Sequence, residues 1–216
     1  MAAGPTPRDV PLTSEEKIRR ATVGPVVFHN APIVLVDYDP RWPTMFDREA
    51  SRIRGALASL AIRIEHVGST SVPGLAAKPI IDIVLAVPDS ADEAAYVPAL
   101  EAAGYVLRGR EPDWLEHRLF KGREVDVNLH VFSAGEAEVD RMVLFRDWLR
   151  GHDDDRDAYL RVKRELAQRT WRYVQDYADA KTAIVQQIMA RAKSRRDVAA
   201  DEPAALPPIP GREAQR

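Results

Sequence analysis

Glu124-Val125-Asp126-Val127-Asn128-Leu129-His130-Val131-Phe132 is the stretch on which the fold turns. Its apolar residues Val125, Val127, Leu129 and Val131 recur at every second position, which predicts a β-strand. Successive side chains of a strand point to opposite faces, so those four face a core while Asp126, Asn128 and His130 share the other side. A carboxylate, an amide and an imidazole are then stacked on one strand whose reverse is buried. An ordinary half-exposed antiparallel strand shows the same alternation, so the neighbouring sequence has to decide whether this polar face is a site.

Working upstream, Glu116–Phe120 and Tyr105–Leu107 read as further strands, with Lys121-Gly122-Arg123 as a tight turn into the quoted segment. Ile80–Val87 is a nearly continuous apolar run, the pattern of a strand covered on both faces. Ile62–Val67 is rich in β-formers and stops at Gly68, and Ile33–Val36 reads as a strand at the start of the organised region. Helices are predicted after Asp39-Pro40, where Trp42, Phe46, Ile53, Leu57 and Leu60 trace one face, and over Ala91–Ala103. Thr13 and Glu16 stand at capping-box spacing before a short helix reaching Ala21. Beyond Ala134 the pattern is helical, over about 136–150, 154–171 and 174–194. These elements define an α/β (α+β) fold, a mixed sheet with flanking helices backed by a C-terminal helical subdomain. The expected division is an N-terminal extension over 1–30, a core over 31–135, the helical part over 136–194, and a Pro- and charge-rich tail over 195–216.

Two further features carry chemistry. Asp82 sits inside Pro79-Ile80-Ile81-Asp82-Ile83-Val84-Leu85, where an unpaired carboxylate would suffer a large desolvation penalty. It must pair with a cation such as Lys78 or an arginine, bind a metal, or face a cleft. His66-Val67-Gly68-Ser69-Thr70-Ser71-Val72-Pro73-Gly74 closes a strand with small and hydroxyl-bearing residues, which suit close approach of an anion. It lacks the Gly-Lys-Ser/Thr ending of a P-loop. Tyr159, Lys163 and Leu166 share one helical face, as do Tyr177, Lys181, Ile184 and Ile188. Such lysines either snorkel to the surface or, if the helices cover the sheet, reach phosphate. Arg118 is a similar candidate. Trp114 and His117 show no interpretable spacing.

The order strand, Gly68-Ser69, Asp82, later strand with Asp126 resembles the polymerase-beta-like nucleotidyltransferase superfamily. A closer resemblance is to the GrpB family, carried by Tyr38-Asp39-Pro40-Arg41-Trp42, Ile64 through Leu75, Ala77-Lys78-Pro79-Ile80-Ile81-Asp82-Ile83, Leu129-His130-Val131-Phe132 and Tyr177-Ala178-Asp179-Ala180-Lys181. The superfamily resemblance implies a nucleotidyltransferase-like core in which Gly68, Ser69, Thr70 and Ser71 hold the phosphates of an NTP. It implies that Asp82 and Asp126, with Asn128, hold Mg²⁺ or Mn²⁺ for attack at the α-phosphorus. His130 or His66 would then take the proton of a small-molecule acceptor, and Lys78, Arg118, Lys163 and Lys181 would neutralise charge. Active superfamily members carry a second carboxylate two residues after the first, where this chain has Val84. The two-metal cage is therefore short of one ligand, for which Asn128, His130 or Glu65 could substitute, or the site holds a single ion, and the competing expectation is a non-catalytic module that binds a nucleotide or coenzyme A.

Composition sets the outer limits. With 45% hydrophobic residues in 216, the chain can fill a core, and a net charge of -2 argues against extended nucleic acid as a partner. The absence of cysteine excludes disulfides, thiolate metal sites and a cysteine nucleophile. No stretch approaches the roughly 20 apolar residues of a membrane span, and no secretory signal precedes the first helix, so a cytoplasmic location is expected.

Overall fold

The sheet is built around β2 (Ile81–Val87), whose Ile81, Ile83, Val84 and Leu85 are completely buried. In this computed structural model, which describes residues 12–201, β2 has a neighbour on each side. β1 (Arg63–Val67) pairs with it antiparallel and β5 (Val127–Ser133) parallel. The order is completed by β4 (His117–Gly122) and β3 (Tyr105–Glu111), giving β1-β2-β5-β4-β3 with only the central β2–β5 pair parallel.

Alternation along these registers sorts the side chains into two faces. One face carries Ile64, Ile81, Ile83, Leu85, Val127, Leu129, Val131 and Phe120 into the main core, beneath α2 (Trp42–Leu57) and α3 (Glu93–Ala102). Burying each such side chain stabilises by about 1.5–3 kcal/mol relative to leaving it in water. α2 presents Trp42, Ala50, Ile53 and Leu57 to this core and ends where Ala58 turns to φ 49°.

The second face is covered only in part. Val67, Val84 and Phe132 pack under Val139 of α4 (Ala137–Gly151), while Asp82 and Asn128 lie farther along the same face. α5 (Asp153–Ala167) places Tyr159 over Val72 and Leu75 of the loop that follows β1. The chain then forms α6 (Val174–Asp179) and α7 (Thr182–Asp201). α1 (Ser14–Ala21) starts with the expected capping box, Glu16 N donating to Thr13 Oγ1 and Thr13 N to Glu16 Oε2. No helix among the described residues is long and apolar enough to cross a membrane.

Several expected elements differ. Ile33–Val36 is not a strand: Ile33 N donates to Ala167 O, Val34 is exposed, and only Val36 forms a bridge, to Ala77. The region expected as one helix over 174–194 is two, because the chain turns at Ala180-Lys181, where Lys181 N donates to Ala178 O. α7 continues past 194 to Asp201, and the expected tail from 202 onward, like residues 1–11, lies outside the described residues. The β4–β5 turn is also wider than Lys121-Gly122-Arg123. β4 runs to Gly122, and the loop folds back so closely that a Cβ on Gly122 would lie 2.5 Å from Val125 O.

Candidate functional site

Asp82 lies on the second sheet face, beyond the part that α4 covers. It stands opposite Asn128 in the parallel β2–β5 register and opposite Val67 in the antiparallel β1–β2 register. Gly68 directly follows Val67 with φ 68°, and a Cβ there would come within 2.8 Å of the Asp82 Cβ. Glycine is thus required twice over, by its backbone and by the carboxylate stacked against it.

The polar groups around Asp82 are ordered by what each can donate. A lysine amine has no lone pair to offer when charged, so Lys121 Nζ donates to Asn128 Oδ1. This orients the amide, and Asn128 Nδ2 donates to Asp82 Oδ1 at 2.6 Å. Three more amines feel the same carboxylate: Lys78, Lys163 and Lys181. Lys163 is buried on α5 and donates to Ala76 O at 2.5 Å, with its amine 5.4 Å from the Tyr159 ring. Lys181, in the turn between α6 and α7, and Lys78, before β2, lie over the Tyr177 ring at 4.5 and 5.8 Å. The aromatic faces attract the ammonium groups, and the Tyr177 hydroxyl is buried without a partner among the described residues.

Four amines thus surround one carboxylate. Burial pushes Lys163 down to about 7, aided by the positive charge of Lys181 and opposed by Asp82. Burial likewise lowers Lys78 to about 8, with Asp82 opposing and Lys181 and Lys121 reinforcing. Lys181 and Lys121 are also lowered, first by burial. Asp82 is raised by burial despite the Asn128 hydrogen bond and the three nearby amines of Lys78, Lys181 and Lys121. The four amines outnumber the carboxylates that act on them, Asp82 within the cluster and Asp126 and Asp179 at its exposed edge, in a place where charge is poorly solvated.

The remaining expected site residues divide sharply. Asp126 lies just before β5, is exposed, and acts on Lys78 and Lys121 electrostatically, while its backbone carbonyl accepts from Ile81 N. Ser69 is half-buried, and its hydroxyl lies beside the Tyr159 phenol. Thr70 and Ser71 are turned inward: Thr70 Oγ1 donates to Ile80 O, and Ser71 Oγ donates to Gly68 O at 2.6 Å. Because Thr70 spends its proton on Ile80, it accepts from His66 Nε2 at 3.1 Å. His66 is on the opposite sheet face, stacked on Phe46, and burial holds it down to about 4. Its ring braces the loop and is not directed at Asp82.

Arg118 is likewise on the opposite face. It donates to Glu93 Oε1 at 2.6 Å and to Glu116, tying β4 to α3. His130 does share the Asp82 face, next to Asn128. Burial, then His117 and Lys121, push it down to about 3, so its ring is neutral at ordinary pH. Glu65, the possible substitute ligand, is engaged by Arg63 and Arg146. Lys121 is the residue that sequence reasoning missed, because it was assigned to the turn.

This donor set does not fit a two-metal cage. Val84 is buried under α4, Asn128 offers its oxygen to Lys121 and its amide protons to Asp82, and amines occupy the space around the carboxylate. Among the described residues no group of three or more acidic or imidazole side chains converges to hold an ion. Lysine amines, not further carboxylates, are the charged groups gathered around Asp82.

Comparison with known proteins places this geometry in context. The family model described as GrpB protein matches residues 32–191. A UPF0157 protein of Halalkalibacterium halodurans is 64% identical over 181 residues, covering 84% of this chain and 93% of its own length. Another, from Streptomyces coelicolor, is 46% identical over 189 residues, covering 86% of this chain and all of its own. A dephospho-CoA kinase of Mycolicibacterium paratuberculosis is 32% identical over 165 residues, and the match spans 40% of that longer protein. The crystal structure of conserved protein GrpB from Enterococcus faecalis superposes with a TM-score of 0.66 at 29% identity, covering 76% of this chain and 99% of that one.

Proposed function

The chain belongs to the GrpB family, and on that footing we propose that the cleft at Asp82 binds the phosphates of a nucleoside triphosphate and transfers a nucleoside monophosphate to a small acceptor. The observation that carries this reading is the gathering of Lys78, Lys121, Lys163 and Lys181 about the buried carboxylate of Asp82. Buried amines with lowered proton affinity are costly to the free protein, and a polyphosphate supplies the charge they lack. Gly68 packs against the Asp82 carboxylate, and the Ser69 hydroxyl beside it meets the Tyr159 phenol. The mixed sheet with a Gly-Ser turn and an aspartate on adjoining strands also supports kinship with nucleotidyltransferases. Proteins named dephospho-CoA kinase that contain a similar segment add a nucleotide setting.

The lysines here neutralise the phosphates and hold them still, and Asp82 orders the lysines. A second reading, a non-catalytic module that binds a nucleotide or coenzyme A, is favoured by one observation, Val84 in place of a second carboxylate.

Thermal shift with each NTP and with coenzyme A, with and without Mg²⁺ or Mn²⁺, tests binding. A ligand at a hundred times its Kd stabilises the native state by about 2.7 kcal/mol. Transfer is then assayed as pyrophosphate release across an acceptor panel. No stabilisation by any NTP or by coenzyme A defeats both readings; binding without turnover leaves the module.

A further inference from the structure

Three side chains outside the phosphate cleft form a hydrogen-bonded line across the same sheet face. Glu111, at the end of β3, is 2.7 Å from His117 Nδ1. His117 Nε2, at the start of β4, is 3.1 Å from His130 Nδ1 on β5. The two imidazoles are stacked with centroids 5.2 Å apart, and His117 is closed in by Trp114 and Phe132, at 5.0 and 4.7 Å. Trp114 is carried by a strained turn, in which the non-glycine residues Leu115 and Glu116 both have positive φ, 56° and 49°. Such strain persists only where the surroundings hold it. Here it is held where it sets a partly exposed indole edge-on against His117 and Phe132.

We propose that this relay fixes the tautomer of His130, leaving its Nε2 as a bare acceptor for a hydroxyl or amine of the acceptor substrate. A carboxylate can only accept, so His117 carries its proton on Nδ1. The Nε2 of a neutral His117 is then a lone pair, which requires the proton of neutral His130 to sit on Nδ1. His130 Nε2 is left with a lone pair and no partner among the described residues, and it is not among their sealed, unpartnered atoms. It shares its strand face with Asn128, one residue pair along from Asp82. Strand spacing puts side chains two residues apart about 7 Å from one another, a gap that one acceptor hydroxyl or amine spans when it donates to His130 and its attacking atom lies about 3–3.5 Å from the phosphorus. Glu111 and His117 are positioning residues, and His130 is the group that touches the acceptor. A doubly protonated His117 would reverse the second link and close Nε2, which is the arrangement the experiment separates.

The substrate part of this inference rests on the nucleotide reading; the tautomer does not. Histidine side-chain ¹⁵N–¹H correlation spectra of the full chain near neutral pH read it directly, with signals assigned through single His→Asn variants. The expected result is His130 protonated on Nδ1 and bare on Nε2, the tautomer a free histidine side chain populates less. In Glu111→Gln the constraint is lost, because an amide can donate as well as accept, and the Nε2–H form of His130 should appear. Glu111→Asp should restore the wild-type pattern at least in part. A wild-type His130 protonated on Nε2, or a pattern unmoved by Glu111→Gln in a folded variant, overturns the relay. Nucleotide-induced stabilisation of Glu111→Gln should match wild type, so failure of wild type to bind ATP identifies failure of the nucleotide reading instead.

Discussion

Asp82 has two possible employments, and one substitution separates them. If its carboxylate competes with phosphate for the four amines, removing its charge strengthens anion binding; if it holds a cation, removing it weakens binding. The hydrogen bond from Asn128 and the surrounding lysines favour competition. We therefore expect Asp82→Asn to bind ATP several-fold more tightly than wild type by titration calorimetry in a metal-free buffer. Weaker binding would return the aspartate to a cation-holding role. Gly68→Ala probes the support of this carboxylate. The added Cβ meets the Asp82 Cβ at 2.8 Å and sits on a backbone at φ 68°. A loss of about 2–3 kcal/mol in urea denaturation is expected, from backbone strain and collision together.

At the scale of elements, the β4–β5 hairpin decides which side chains meet. Alternation correctly grouped Asn128 and His130, since within one strand the period of two is fixed by geometry. Between strands, alternation is silent until register is known. With the turn read as Lys121-Gly122-Arg123, Lys121 had no face and Arg118 was free to be read as a phosphate partner. The observed pairing sets Lys121 against Asn128 and Arg118 against Val131, sending the arginine to the α3 side. The same ignorance of register hid Glu111 and His117, which are adjacent only because β3 pairs with β4. The turn at Ala180-Lys181 was hidden for another reason: with no glycine or proline there, the helical pattern runs through it. Arg118→Ala follows from this placement. It should cost about 2 kcal/mol of stability through the lost charged hydrogen bonds to Glu93, yet leave ATP-induced stabilisation unchanged. A loss of ATP binding in a folded Arg118→Ala protein would put the arginine back in the site.

For the molecule as a whole, the fold stabilises β2 and β5 by covering both faces at one end and leaves the other end to carry charge. That arrangement predicts how global stability depends on pH. Lys163 has a folded-state value of about 7 against 10.5 unperturbed, and Lys78 about 8. Below about pH 7 both states hold the Lys163 proton, and the folded state bears the full cost of a buried charge. Between about 7 and 10.5 the unfolded chain keeps a proton that the folded protein releases, so stability rises with pH. Each such lysine adds at most about 1.4 kcal/mol per pH unit in that window. Wild type should therefore become more resistant to urea from pH 7 to 9. Lys163→Met, which has no proton to release, should show a shallower rise whatever its absolute stability. Saturating ATP should flatten the wild-type rise too, because bound phosphate restores the preference for charged amines. A rise of equal slope in Lys163→Met would mean that the Lys163 amine is not held in the low-polarity setting the structure gives it, and that the cluster stores less uncompensated charge than a phosphate site requires.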